Sequence, residues 1–383
     1  MFYYTISAPE VTHQMTLDEL FSGEIKFSYS NTKGTNTRTY CVDRIPDSAL
    51  LKISVDVNKI IKSLADFNSE WGYLKEADRH SLYREFYIPK RSHGYRKIDA
   101  PNEELMNALR ELKIILEDVC HASYHTAAFA YIKKRNVVDA LKRHQANESK
   151  WFGKYDLSNF FGNTTFEFVM RQLSMIYPFS EVMKRDDGIR ELQNAIELGF
   201  LDGGLPQGTP LSPTITNLIM IPIDHALAKE LHDFDKNRFI YTRYADDFLV
   251  SCKYTFDYRK VEGLINSVME RFNAPYKLNG EKTRYGSSAG QNWNLGLMLN
   301  KDNEITVGHK RKRELKAALN SYILDKIHGI CWELGDVQVL HGQLNYCLQI
   351  EPDSIKKILC KYEEKYAFNV EAELRRDLKV QNN

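Results

Sequence analysis

The sequence predicts an α+β protein, and three observations carry that prediction. Short runs rich in β-formers stand in the middle of the chain, at 151–157, 238–244 and 248–252. Helical periodicity mingles with them there, at 103–119 and 256–272. Roughly the last 75 residues then read as mainly helical. With 383 residues, 43% hydrophobic and 27% charged, the chain can bury a large core, enough for roughly two or three packed domains.

Taken in order, residues 1–85 form a mixed head, with a polar turn at 31–37 and a helix beginning at 55–64. Between 103 and 119, Leu105, Met106, Leu109, Leu112, Ile115 and Leu116 recur at the spacing of one helix face. Residues 151–157 form a short apolar strand reaching Asp156. Ser212-Pro213 has the form of an N-cap followed by proline in the first turn. That helix should continue through Asn217, Leu218 and Met220, with Pro222 kinking or dividing it. The runs 256–272, 310–323 and 353–366 are helical by pattern.

Composition excludes several classes. No apolar run approaches the length of a membrane span, so no membrane partner is expected. The start, Met1-Phe-Tyr-Tyr-Thr-Ile-Ser7, lacks the basic region and long apolar stretch of a signal peptide. Cys41, Cys120, Cys252, Cys331, Cys347 and Cys360 form no CxxC pair, which argues against a zinc knuckle or disulfide scaffold and suits a cytoplasmic location. A net charge of +1 does not exclude nucleic acid, because distribution matters more than the sum. Lys133-Lys134-Arg135, Lys142-Arg143 and Lys310-Arg311-Lys312-Arg313 are solvated faces on the simplest reading. Flanking acidic motifs, they also suit a phosphate backbone.

Those acidic motifs carry the chemistry. Tyr244-Ala245-Asp246-Asp247 sits at the predicted apex of a β-hairpin. Alone, an Asp pair at a turn is more often solvated than functional. Asp156 ends a strand 90 residues earlier, and neighbouring strands of one sheet could unite the three carboxylates. Such hard oxygen donors suit a pair of Mg²⁺ ions, which activate an attacking hydroxyl and neutralise a leaving phosphate.

The motifs together resemble those of the reverse transcriptase family. Tyr244-Ala-Asp-Asp247 matches its YxDD box, Asp156-Leu-Ser-Asn-Phe-Phe161 its first catalytic motif, and Leu205-Pro-Gln-Gly-Thr-Pro-Leu-Ser-Pro-Thr-Ile-Thr-Asn217 its PQGxxxSPxxxN box. Tyr87-Ile-Pro-Lys-Arg-Ser-His-Gly-Tyr-Arg-Lys97 and Leu278-Asn-Gly-Glu-Lys-Thr283 resemble flanking motifs, all in family order. The resemblance implies a right-hand polymerase: an N-terminal extension at 1–85, fingers at 86–150, a palm with part of the fingers at 151–300, and a helical thumb and tail at 301–383. The palm would be an antiparallel sheet backed by helices.

By the same resemblance, Asp156, Asp246 and Asp247 would bind two Mg²⁺ ions, with Mn²⁺ as a substitute and the Leu157 carbonyl as a further ligand. Phe161 would crowd the sugar 2′ position and exclude ribonucleotides, unless it is an ordinary core aromatic beside Phe160. Gln207 and Gly208 would line the incoming dNTP; Lys90 and Arg96, with Lys97 in reserve, would hold its triphosphate. Lys282 is either the general acid for pyrophosphate or an exposed lysine. Tyr244 and Ala245 would abut the primer end and the nucleotide. The segment 294–299 resembles a primer grip, and 310–313 with 340–346 a duplex-holding thumb. The implied partners are an RNA template, expected to be a structured non-coding RNA, the DNA product and dNTPs. A homo-oligomer or partner protein is left open.

The lineage is read from what surrounds these motifs. No HNH, zinc or RNase H pattern occurs, and about 75 residues after the thumb's start leave little room for a maturase-plus-endonuclease tail. Ser212-Pro213 departs from the Ser-Gln of diversity-generating enzymes. Where retron enzymes carry NAxxH and VTG, this chain has Asp139-Ala-Leu-Lys-Arg-His144 and Asn294-Leu-Gly296. The expectation is therefore the unclassified, antiphage-defence reverse transcriptases, with retron-type msDNA synthesis or a maturase-like RNA-binding role as alternatives.

Overall fold

A computed structural model describes four strands by their backbone within residues 4–41, then residues 56–90, 94–120, 122–235, 239–288, 293 and 296–380. The early strands form two antiparallel hairpins, β1 (Tyr4–Ala8) with β2 (Val11–Met15) and β3 (Glu24–Asn31) with β4 (Gly34–Cys41). Asn31 pairs with Gly34, and residues 32–33 of the expected polar turn lie outside the described residues. So do residues 1–3 and Val55 at the head of the expected helix.

The chain divides into two compact units, each discontinuous in sequence: residues 1–131, 157–230 and 263–278, and residues 132–156, 231–262 and 279–383. In the first unit, Asp56 accepts the amides of Asn58 and Lys59 and starts the Val57–Trp71 helix, satisfying donors with no intrahelical acceptor. Ile60, Leu64 and Phe67 bury one face of it, and Asn68 donates to the Glu191 carbonyl of the Asp186–Glu197 helix. The periodic segment at 103–119 is a helix, Glu103–Ile114, loosening into a π-turn at Ile115–Val119. Strands β5 (Tyr83–Pro89) and β6 (Tyr95–Pro101) form an antiparallel ribbon, exposed along most of β5 and buried at Asp99 and Pro101 of β6.

Two expectations about the helix after the PQG motif need correction. Ser212–Phe234 is a single helix through Pro222, so the proline does not divide it. One lost amide hydrogen bond is outweighed by burial of Ile219, Met220, Ile223 and Leu227 around it, each of which contributes about 1.5–3 kcal/mol. The cap is also not Ser212. Thr209 Oγ1 accepts the Ser212 amide at 3.2 Å, while the Ser212 hydroxyl donates to the Pro206 carbonyl.

The second unit is built on a four-stranded antiparallel sheet. Its strands are β7 (Trp151–Asp156), β8 (Ile240–Tyr244), β9 (Asp247–Cys252) and β10 (Arg284–Ser287), in the order β10-β7-β9-β8. A two-stranded ribbon, β11 (Met298–Leu299) with β12 (Ile305–Thr306), precedes the helices Gly308–Ile327, Leu334–Ile350, Pro352–Tyr366 and Val370–Val380. Phe152 and Leu249 of the sheet share one core with Trp293, Leu297, Leu299, Leu319, Tyr322, Leu340 and Leu344. Leu297 and Leu299 of the primer-grip-like segment therefore face core; Asn294 and Leu295 lie outside the described residues. Glu351 ties the ribbon to the first of these helices by accepting from Thr306, the Val307 amide and Lys312.

Candidate active site

The sheet delivers the carboxylates. β7 and β9 are its two central strands, and their register sets Asp156 directly opposite Asp247. β8 and β9 close at the pair Tyr244–Asp247, so Ala245 and Asp246 form a two-residue hairpin loop. That loop needs a positive φ, which Ala245 supplies at 56°. A non-glycine residue there costs about 1–2 kcal/mol. Arg243, only 1% exposed, donates from Nη1 to the Ala245 carbonyl at 3.1 Å and holds the loop from behind. Ala245 is itself buried and Tyr244 half-buried.

Two lysines face the three carboxylates. Lys154 Nζ lies 2.6 Å from Asp247 Oδ2, and Lys282 Nζ lies 2.9 Å from Asp156 Oδ2. A turn brings Lys282 in: the Asn279 amide donates to the Asp156 carbonyl, and the Lys282 and Thr283 amides donate back to the Asn279 carbonyl. Burial, then the charges of Asp247 and Asp156, pushes the Asp246 carboxyl up to about 6. Burial also raises Asp247, against the opposing pull of Lys154. The bond to Asp156 raises Lys282. Like charges are thus concentrated beyond what two ammoniums relieve, an arrangement that a further cation stabilises.

The donors suit a hard divalent ion, being carboxylate oxygens in a crowded anionic setting. They do not form a closed cage. Among the described residues, no three His, Cys, Asp or Glu side chains converge as a metal cluster. Asp247 and Asp156 each have an oxygen engaged by lysine.

Of the expected substrate-binding residues, Lys90, Arg96, Lys97, Phe161, Gln207 and Gly208 belong to the first unit, and Tyr244 and Ala245 to the second. The Leu205 amide donates to the Phe161 carbonyl, and the Asp99 amide to the Gln207 carbonyl at 2.7 Å, pinning the PQG loop at both ends. Gly208 has φ +121°, and a Cβ there would meet Ile98 at 2.8 Å and the Asp99 carbonyl at 2.9 Å. Phe160 is buried against Tyr276, whereas Phe161 is half-exposed, separated from β7 by the left-handed Asn159. Phe161 is therefore not the core aromatic of the pair. Leu157 is buried and bridges Leu278. On the ribbon, Lys97 is engaged by Glu85 and Asp99, whose bonds hold its pKa above the ordinary lysine value. Lys90 and Arg96 are exposed; among the described residues neither has a carboxylate partner. Arg91, Ser92 and His93 of the same motif lie outside the described residues.

Behind the hairpin sits a buried polar network centred on His144, whose partners the sequence reading does not give. His144 bonds Ser251 Oγ through Nδ1 at 2.5 Å and Thr242 Oγ1 through Nε2 at 2.8 Å, and Ser251 donates to Ser149. This ties the Val137–Ala146 helix to both strands carrying the YADD loop. Burial pushes the imidazole down to about 3. Below the unfolded value near 6.5, the unfolded chain therefore takes up a proton that the folded chain refuses. Stability should be full above that pH and fall by about 1.4 kcal/mol per unit as acid is added toward 3. Urea unfolding at pH 7, 6 and 5 should show this slope reduced in His144→Gln; equal slopes in both proteins would contradict the assignment.

A groove of about 1200 Å³ in the second unit runs between the start of the Gly308–Ile327 helix and the Pro352–Tyr366 helix. Lys310, Arg313, Lys316, Lys357 and Lys361 line it. Lys312, also of the basic run, is spent internally on Glu351.

The family "Reverse transcriptase (RNA-dependent DNA polymerase)" matches residues 88–312. The chain is 28% identical over 333 residues to the retron Ec83 reverse transcriptase of Escherichia coli, covering 82% of this chain and 96% of that one. It is 27% identical over 282 residues to the retron Ec73 reverse transcriptase of the same organism, covering 72% and 85%. Among solved structures, apo telomerase from Candida tropicalis aligns with a TM-score of 0.46 and 14% identity, over 82% of this chain and 66% of that one.

Proposed function

The chain belongs to the reverse transcriptase family and is an RNA-directed DNA polymerase, and we propose that it is of the retron type, copying a structured non-coding RNA into DNA. The register pairing Asp156 with Asp247, with Asp246 in the adjoining hairpin loop, is the observation that carries the chemistry. The lineage rests on relatives matched along most of their length, which favours the retron alternative over the unclassified group despite the departures at 139–144 and 294–296.

In this reading Asp156, Asp246, Asp247 and the Leu157 carbonyl hold two Mg²⁺ ions, with Mn²⁺ able to substitute. Bound there, the ions would activate the primer hydroxyl and neutralise the leaving pyrophosphate. The protein's own part is positioning. The β7–β9 ladder fixes the carboxylates, Arg243 fixes the loop, and Tyr244 and Ala245 meet the primer end and the nucleotide. Gln207 and Gly208 line the dNTP, and Lys90 and Arg96 take its triphosphate. Lys97, already held by two carboxylates, fits that task less well. Lys282 serves as a counterion to Asp156 and as proton donor to the leaving group. The basic groove between residues 310 and 361 tracks the nucleic-acid backbone. A role in antiphage defence, from the cytoplasm, completes the proposal.

Primer extension with dNTPs on an RNA template tests the activity; sequencing of copurifying nucleic acid tests the lineage, since a covalent or paired RNA–DNA product is required. Phage plating on cells with and without the gene tests the defence role. Phe161→Ala should raise ribonucleotide incorporation relative to dNTPs by roughly ten- to two-hundredfold, the discrimination typical of a steric contact. An unchanged ratio would remove Phe161 as the sugar-selecting residue.

A further inference from the structure

We propose that Lys154 is a positioning residue that sets the divalent-ion affinity of the carboxylate site by competing for Asp247. The inference rests on the reading that Asp247 takes a metal ion.

Its geometry follows from the sheet. Side chains alternate along β7, so Lys154 and Asp156 share one face. In register, Lys154 stands opposite Leu249 and Asp156 opposite Asp247. Lys154 therefore reaches Asp247 diagonally across the ladder, the separation that long side chains span. Its ammonium binds Oδ2 at 2.6 Å, with the two side chains 17% and 20% exposed. A pair so enclosed is screened far less than a surface ion pair.

The second lysine differs in kind. Lys282 is 57% exposed and sits on a turn, so it can swing away from Asp156. Lys154 rises from the middle of a central strand, and its stem cannot leave the face. An ion approaching Asp247 must take Oδ1, leaving the ammonium in place as a repelling neighbour, or displace the ammonium from Oδ2. Either route weakens binding. The lysine thereby keeps Asp247 oriented at the cost of a weaker site. A purely structural pair is the alternative, but β7 and β9 are already joined through six paired positions from Trp151 to Asp156.

Titration of Mn²⁺ into the full chain, followed by calorimetry and by the Mn²⁺ electron paramagnetic resonance signal, separates these readings. Lys154→Met, which keeps the stem and removes the charge, should bind Mn²⁺ roughly tenfold more tightly, the effect of one unit charge on a dication at about 5 Å in a water-like dielectric. Lys154→Gln, a second charge-free variant, should do the same. Lys154→Arg should stay within about threefold of the parent. In primer extension, the Mn²⁺ concentration for half-maximal rate should fall in the Met and Gln variants without a matching rise in maximal rate. Equal or weaker Mn²⁺ binding in both charge-free variants, with the parent still binding, would overturn this inference alone. No binding by any of the proteins would overturn it together with the metal reading of Asp247.

Discussion

Asp246→Asn should abolish RNA-templated dNTP incorporation while making the metal-free protein more stable. On the proposed reading that Asp246 binds a metal ion, its loss removes several kcal/mol of transition-state charge stabilisation, so primer extension should fall at least about a thousandfold. The stability change has the opposite sign. Burial and the neighbouring charges of Asp247 and Asp156 raise the folded carboxyl to about 6, above its unfolded value. The folded chain therefore binds the proton more tightly, and stability falls as pH rises from about 4 to 6. Above that window the ionised group costs on the order of 3 kcal/mol, which asparagine does not pay. Thermal melting at pH 7.5 in chelator should rise by roughly 4–8 °C. Added Mg²⁺ should stabilise the parent and narrow the gap, since ligand binding to the folded state adds to its stability. A variant that extends primers at the parental rate would remove Asp246 from the site, and an unchanged melting temperature would contradict its electrostatic burden.

Gly208→Ala should be the most damaging single-methyl change in the PQG loop. Its φ of +121° lies where L side chains rarely go, and the added Cβ would stand 2.9 Å from the Asp99 carbonyl, a backbone atom that cannot swing aside. Relief requires moving the loop off β6 and breaking the bond from the Asp99 amide to the Gln207 carbonyl. Strain and the lost bond together cost roughly 2–4 kcal/mol. Melting should drop by about 5–15 °C, and the dNTP KM should rise as Gln207 shifts. Gly203→Ala is the control. It also has positive φ, +79°, but a Cβ there meets nothing within 4 Å, so only about 1 kcal/mol should be lost. Equal losses at the two positions would show that conformation alone matters and that the contact with β6 does not.

The hairpin around Tyr244–Asp247 is legible because both flanks are rich in β-formers and the loop is short and polar. The helix at 103–114 is legible from apolar periodicity, and the 310–323 stretch of the Gly308–Ile327 helix from its helical pattern. Lys154 is not, because its partner depends on the register between β7 and β9, which no local pattern states. The one available signal is its place two residues before Asp156 on the same strand. His144 hides for a similar reason: its two hydroxyl partners come from strands about 100 residues away. Pro222 misleads because local propensity counts the lost hydrogen bond and omits the tertiary burial that offsets it.

By itself, then, the sequence determined the α+β class and the order of the motifs, and it singled out Asp156, Asp246 and Asp247 as candidates. These depend on residue type and spacing, which a linear chain displays. Only the tertiary structure decided that Asp156 faces Asp247, that Lys154 and Lys282 hold one oxygen of each, and that Phe160 is the core aromatic while Phe161 is half-exposed. Those facts arise from strand pairing between segments about 90 residues apart and from competition for burial. Both are energies of the folded chain as a whole, and neither is written at any one position along it.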